Sequence, residues 1–165
     1  MLDNYKEFLD QVFADIAQVG IDVSHFELDH IAYTTSSKTE YEELRSKVLK
    51  LGELVGEDLV GNRRVGVIKL NQPLLYENRL IPGFELIEPV DGVSTESRLD
   101  HIEFVVPQGN NELIKQYPEV SWNTSSMTRL EYPHLKVNGL KVKFHELSIF
   151  DTIEHQNYRR EQVRG

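Results

Sequence analysis

Three histidines and a glutamate sit in short segments that alternate as strands do: His30 in DHIAYT, His101 in DHIEFVV, His145 in LKVKFH and Glu85 in GFELIE. In an extended chain successive side chains point to opposite faces. His30 therefore lies opposite Ile31 and Tyr33, and His101 opposite Ile102, Phe104 and Val106. His145 lies opposite Val142 and Phe144, and Glu85 opposite Phe84 and Leu86. Each segment has one apolar face, suited to packing on helices, and one face with an ionisable group, suited to lining a cavity. Three imidazoles and a carboxylate match the donor preferences of divalent zinc, manganese, iron, cobalt or nickel. Four protein ligands on an octahedral ion would leave two positions for adjacent oxygens of a substrate.

Other ionisable residues compete for these roles. Glu88 falls on the Phe84/Leu86 face and ranks below Glu85. Glu103 shares the His101 face at a two-residue spacing. Lys141 and Lys143 share the His145 face, where they would attract an anionic substrate. Asp29 and Asp100 precede His30 and His101 and are read as turn or strand-start residues, because alternation puts them on the opposite face. His25, His134 and His155 are read as surface residues. There is no GxSxG elbow, no phosphate loop, no dinucleotide fingerprint and no HExxH. Cysteine is absent, which excludes disulfides, thiolate nucleophiles and cysteine-held metals.

The elements that position these residues are legible in part. Leu2, Tyr5, Leu9, Val12, Phe13 and Ile16 recur at helical spacing, which predicts a helix over 2–17 stopped at Gly20. A strand follows at 29–34. A helix is predicted from about Thr39 to Leu51, with Thr39 and Glu42 as capping box, Tyr41, Leu44, Val48 and Leu51 as buried stripe, and Gly52 as stop. Strands are predicted at 53–60, 64–70 and 83–88, with Gly61-Asn62 as a hairpin turn and an unassigned stretch between Pro73 and Pro82. The second half reads as a strand at 99–106, a short helix near 110–117, strands at 126–131 and 134–137, an Asn138-Gly139 turn, and a strand at 140–145. Ser148 with Asp151 opens a C-terminal helix running to about Arg160.

The tetrapeptide LDHI occurs at 28–31 and again at 99–102, each time opening a strand followed by a helix and then strands. Repetition in the same place of the same element order points to a duplicated module. The chain of 165 residues is long enough to bury a core, and 39% hydrophobic residues is too apolar for disorder. No apolar run approaches the length of a membrane span, and the acidic, amphipathic start lacks the features of a secretory signal. The expected location is cytoplasmic. Net charge is −9, and the only basic candidates are the pairs Arg63-Arg64 and Arg159-Arg160, so neither nucleic acid nor anionic membrane is an expected partner.

The duplicated order resembles the vicinal oxygen chelate superfamily, which includes glyoxalase I, extradiol dioxygenases and antibiotic-binding resistance proteins. Within it the chain looks most like the YecM-like proteins, through DHIAY, GELVGEDLVGNRRVGVIKL, FELIEP, DHIEFVV and VKFHELSI, a match over roughly residues 25–150. The resemblance implies an α+β fold of two βαβββ modules forming a curved mixed sheet around a cavity, with added N-terminal and C-terminal helices. As one domain, it would comprise a helix in 1–24, modules at about 25–90 and 98–147, and a helix in 148–165. The superfamily pattern implies a divalent metal held by His30, Glu85, His101 and His145. It departs at His145, where many members place a glutamate; Glu146 lies on the other face, so His145 is preferred. The implied function is a metal-dependent isomerase, lyase or oxidoreductase acting on a small molecule chelated through adjacent oxygens. Glu85 or Glu103 would move a proton, and Lys141 and Lys143 would bind substrate. The alternative is a non-catalytic small-molecule binder of the same fold. Oligomeric state is left open.

Overall fold

The computed structural model describes residues 1–129 and 132–164, with side chains through Tyr158. The side chains of Arg159 and Arg160, and the end of the strand expected at 126–131, therefore lie outside the described residues. The described elements are α1 (Tyr5–Gln18), β1 (Glu27–Thr34), α2 (Lys38–Val48), β2 (Gly52–Val60), β3 (Arg63–Tyr76), β4 (Arg79–Ile87), β5 (Arg98–Val105), α3 (Asn110–Gln116), β6 (Trp122–Asn123), β7 (Leu135–Val137), β8 (Val142–His145) and α4 (Ile149–Arg164). Their contacts divide the chain into two units, Met1–Phe8 with His30–His101, and Leu9–Asp29 with Ile102–Gly165.

In the first unit the strand order is β2-β3-β4-β1. β2 and β3 are antiparallel, as are β3 and β4, while β4 runs parallel to β1. The expected Gly61-Asn62 turn is present. Both residues take positive φ (59° and 64°), the twist that matches a tight hairpin. The stretch left unassigned in the sequence is a second hairpin. β3 runs on to Tyr76, and Pro73 falls within its register shift between Lys69 and Leu74, where a residue without an N–H costs no ladder bond. β1 is buried from Leu28 to Thr34 on both faces.

α2 starts earlier than its sequence predicts. The cap is Ser37, whose hydroxyl accepts from Glu40 N, and Glu40 reaches back to accept from Ser36 N at 2.8 Å. This resembles the capping box expected of Thr39 and Glu42, moved two residues toward the N-terminus, with the return bond made to the residue before the cap. The helix ends at Val48, and Leu51 is exposed rather than buried. Gly52 does not stop the helix. It opens β2, where an added Cβ would lie 2.3 Å from the Lys69 carbonyl oxygen, so only glycine lets the two strands approach. Tyr41 anchors the helix with its ring fully buried and its hydroxyl donating to Glu57 at 2.9 Å.

In the second unit the order is β5-β8-β7-β6. β5 and β8 are parallel, and the other two neighbouring pairs are antiparallel. Numbering strands within each repeat gives the order 2-3-4-1 both times, the expected βαβββ plan. Among the described residues the strand expected at 126–131 is not found: 125–128 form a turn, and a short strand unsignalled by the sequence sits at Trp122–Asn123. Residues 124–128, TSSMT, lack the alternation of apolar and polar residues that would give a strand a buried face. Gly20 ends α1 at φ 77°, with the N–H groups of Gly20 and Ile21 donating to Ala17 and Ile16 carbonyls. Leu9, Val12 and Ile16 are the buried stripe of that helix. Ser148 caps α4 by accepting from Asp151 N at 3.0 Å, as expected.

Candidate metal centre

The first unit brings three of the four expected ligands together. His30 comes from β1, Glu85 from β4 and His101 from the start of β5. In the parallel register Ala32 is the partner of Glu85, so Glu85 points to the face that Ala32 shares with His30. One ligand atom from each of His30, Glu85 and His101 falls within 4.8 Å of the others. His101 Nε2 is 3.4 Å from Glu85 Oε2, and the rings of His30 and His101 are 6.3 Å apart at 75°. All three side chains are buried, with residue exposures of 0%, 7% and 6% for His30, Glu85 and His101.

The Nε2–Oε2 spacing is informative. It is long for a hydrogen bond, whose heavy atoms usually lie within about 3.2 Å. Two bonds of about 2.1 Å to a common ion, meeting at about 110°, span roughly that distance. The orientation of His101 is fixed from behind, since its Nδ1 lies 2.9 Å from Asp100 Oδ2. A carboxylate there holds the hydrogen on Nδ1 and turns the Nε2 lone pair toward Glu85, the arrangement common behind metal-bound histidines. This corrects the reading of Asp100 as a strand-start residue: a carboxylate adjacent in sequence reaches round to the ring edge despite alternation. The DH pair of each LDHI copy was the available signal.

The fourth expected ligand, His145, belongs to the second unit and ends β8. Its Nδ1 donates to the Leu147 carbonyl. Its Nε2 is 3.4 Å from Asp29 Oδ2 and 3.5 Å from Glu103 Oε2, and all three side chains are fully buried. Asp29 also accepts from Ile149 N, the first residue of α4, at 2.9 Å. Asp29 is therefore a buried partner of His145 and of a helix N-terminus, not a turn residue. Glu103 accepts from Tyr132 Oη at 2.8 Å and from Lys143 Nζ at 2.7 Å. Lys143 is half-buried against Glu103, whereas Lys141 is exposed. Glu88 lies apart from the ligand set: it binds Arg64 through both oxygens and accepts from Arg64 N. Burial opposes ionisation of Glu88, but the Arg64 bonds and charge win and hold its pKa below the ordinary carboxylate range.

His25 and His155 are exposed as expected, but His134 is buried, with 4% exposure. Its Nδ1 lies 3.0 Å from the Tyr132 carbonyl oxygen. Burial first, and then the charge of Lys143, push its pKa from an ordinary 6.5 down to about 4. Between those values the unfolded chain carries a proton on His134 that the folded chain does not, so stability rises with pH across that window and is fully present above it. Urea unfolding is expected to show a loss of about 2 kcal/mol on acidification from neutrality to about pH 5. In a His134→Gln variant that part of the loss should vanish. An unchanged slope in the variant would assign the effect to other groups.

The fold defined by these elements is similar to that of the methylmalonyl-CoA epimerases. Methylmalonyl-CoA epimerase from Mycobacterium tuberculosis superposes with a TM-score of 0.53, covering 73% of this chain and 87% of that one, at 13% identity, a likeness of fold alone. The chain belongs to the YecM protein family, whose model matches residues 1–156. A structural-genomics protein, EC4020, superposes with a TM-score of 0.73 at 25% identity, covering 94% of this chain and 88% of that one. An uncharacterised protein of Haemophilus influenzae is 27% identical over 127 residues, which span 70% of this chain and 66%, just under two thirds, of the relative.

Proposed function

We propose that this protein is a metal-dependent enzyme that acts on a small molecule chelated through adjacent oxygens, with a divalent ion held by His30, Glu85 and His101. The observation that carries the reading is the convergence of these three donors in the first unit, with Asp100 fixing the tautomer of His101. Two imidazoles and one carboxylate suit iron(II), manganese, zinc, cobalt or nickel, and leave positions for substrate oxygens. The ion would supply Lewis acidity to an oxyanion that forms on the substrate. Burial of the three ligands excludes bulk water from the reacting atoms. Glu85 would hold a proton as well as ligate. A methylmalonyl-CoA epimerase of similar fold has been solved with methylmalonyl-CoA, an acyl thioester with a carboxylate, which fits a substrate offering more than one oxygen.

Elemental analysis of protein purified without chelator, followed by cobalt titration, is the direct test. About one divalent ion per chain, with a visible cobalt spectrum, is the expected result. Failure to take up any of the five metals would sink the reading and favour a metal-free small-molecule binder of the same fold. Asp100→Asn should lower metal affinity about 10- to 100-fold while leaving the fold intact. An unchanged affinity would show that His101 needs no orienting partner.

A further inference from the structure

We propose that Glu40, in the first turn of α2, is a positioning residue for the metal centre of the first unit: through Ser97 it fixes the start of β5, and with it His101. The inference rests on the reading that His30, Glu85 and His101 hold the ion. Glu40 Oε2 accepts three hydrogen bonds, from Ser36 N at 2.8 Å, from Ser36 Oγ at 2.7 Å and from the Ser97 hydroxyl. Ser36 N also donates to Ser97 Oγ at 3.1 Å. Capping a helix takes only the bond from a backbone N–H. The bond from Ser97 does something else, since it ties α2 to a residue 57 positions further along the chain. Ser97 is the last residue before β5, and it closes the segment 88–97 that lies between the ligands Glu85 and His101. That segment has no strand or helix of its own, so side chains set its ends. Glu88 holds one end through Arg64, and Ser97 holds the other through Glu40. The ion pair of Lys38 and Asp91 between them is exposed and contributes little.

Tyr33 puts the tie beside a second ligand strand. Its phenol is raised in pKa, first by burial and then by the charge of Glu40, while a hydrogen bond with Ser97 lowers it. The carboxylate, the serine and the phenol therefore meet at one place, from α2, from the start of β5 and from β1, the strand that carries His30. Tyr33 is in turn the backbone partner of Leu86, the residue after Glu85. Burial opposes the charge of Glu40, but the bonds from Ser36 and Ser97 win and hold its pKa below the ordinary carboxylate range. At neutral pH it is a charged acceptor, which makes these bonds stronger than neutral ones. From Ser97 to His101 is four residues of extended chain, about 13 Å, with no turn to absorb a displacement. A working site holds its groups within about 0.5 Å of the productive geometry. A shift of the start of β5 by more than that would carry Asp100 and His101 with it.

The test compares Ser97→Ala, Glu40→Ala and Ser37→Ala in the full chain. Ser97→Ala removes the tie and leaves the cap of α2, whereas Ser37→Ala removes the cap bond from Glu40 N, 3.1 Å long, and leaves the tie. Nitrogen-15 spectra of the metal-free proteins, with the His101 signals assigned from a His101→Gln variant, read the ring directly. Ser97→Ala and Glu40→Ala should shift the His101 resonances alike, and the double variant should do no more than either, because both act through one bond. Cobalt affinity should fall about three- to tenfold in the same variants, with a changed visible spectrum, a smaller loss than that from Asp100→Asn. Ser37→Ala should lower the melting temperature by about 2–4 °C and leave the His101 resonances and the cobalt spectrum at their parental values. Parental resonances in Ser97→Ala would overturn the proposal. A shift in Ser37→Ala as large as that in Ser97→Ala would also overturn it, by assigning the effect to helix stability. The resonances are read without metal, so they decide for or against the tie whether or not the parent protein takes up cobalt, and absence of uptake counts against the metal centre alone.

Discussion

A His30→Ala/His101→Ala double variant is expected to lose divalent metal binding altogether, and each single variant to bind more than about 100-fold more weakly than the parent. The magnitude follows from ligand number: loss of a partner behind a ligand already costs about 10- to 100-fold, and loss of the ligand itself costs more. His30 and His101 are buried, so alanine leaves small cavities as well as vacated donor positions. The cavity cost falls on stability and the donor cost on metal affinity, and the two are separated by measuring unfolding of the metal-free proteins. Isothermal titration with zinc and cobalt reads the donor cost directly. Retention of parental affinity by the double variant, with a cooperative unfolding transition, would rule out the assigned centre. Glu85→Gln supplies a finer comparison, since it preserves volume and one acceptor oxygen while removing the charge.

The second large effect concerns Phe144. Its ring is fully buried, stacked on Phe104 at 5.9 Å and 20°, and met edge-on by Phe26 at 6.4 Å and by Trp122 at 5.8 Å. Phe144→Ala should cost about 3–5 kcal/mol, combining lost transfer free energy with a cavity bounded by rigid rings. Whole-domain stabilities are about 5–15 kcal/mol, so the variant would retain a small margin or none. Phe144→Leu should lose substantially less. Urea denaturation followed by Trp122 fluorescence measures both. A loss below about 1 kcal/mol for alanine would mean that the surrounding rings collapse into the space. Phe144 immediately precedes His145, so the same variants should also disturb the Asp29–His145–Glu103 set, visible as shifted histidine resonances.

The sequence shows the fold where local patterns and turn chemistry agree. The LDHI repeat, the Gly61-Asn62 turn and the Ser148–Asp151 cap each name a physical constraint that survives in the structure. The second hairpin was hidden because its turn begins at Glu77, which takes φ 51° without the glycine that signals such a turn. The α2 cap was misplaced because serines and threonines crowd residues 34–39, and only packing of Tyr41 selects Ser37. Within the candidate centre, His30, Glu85 and His101 were legible from strand alternation. Asp29 and Asp100 were not, because alternation says which face a side chain leaves from but not how far a carboxylate reaches. His134 was missed because burial of a polar ring in a segment without strand pattern depends on what folds over it.

The two contact units do not coincide with the two sequence repeats. Asp29 and His30 are neighbours in the chain yet fall in different units, and so are His101 and Ile102. A polypeptide beginning at the second repeat would lack Phe13, Phe26 and Asp29, the contacts of Phe104, Phe144 and His145. Each unit must close long stretches of chain before its own core is complete, a topology that slows folding. Whatever ancestry the repeats share, exchange of genetic material at the repeat boundary would not yield two self-sufficient halves. Cutting the chain between the repeats would instead leave the core contacts of the second unit divided between two polypeptides.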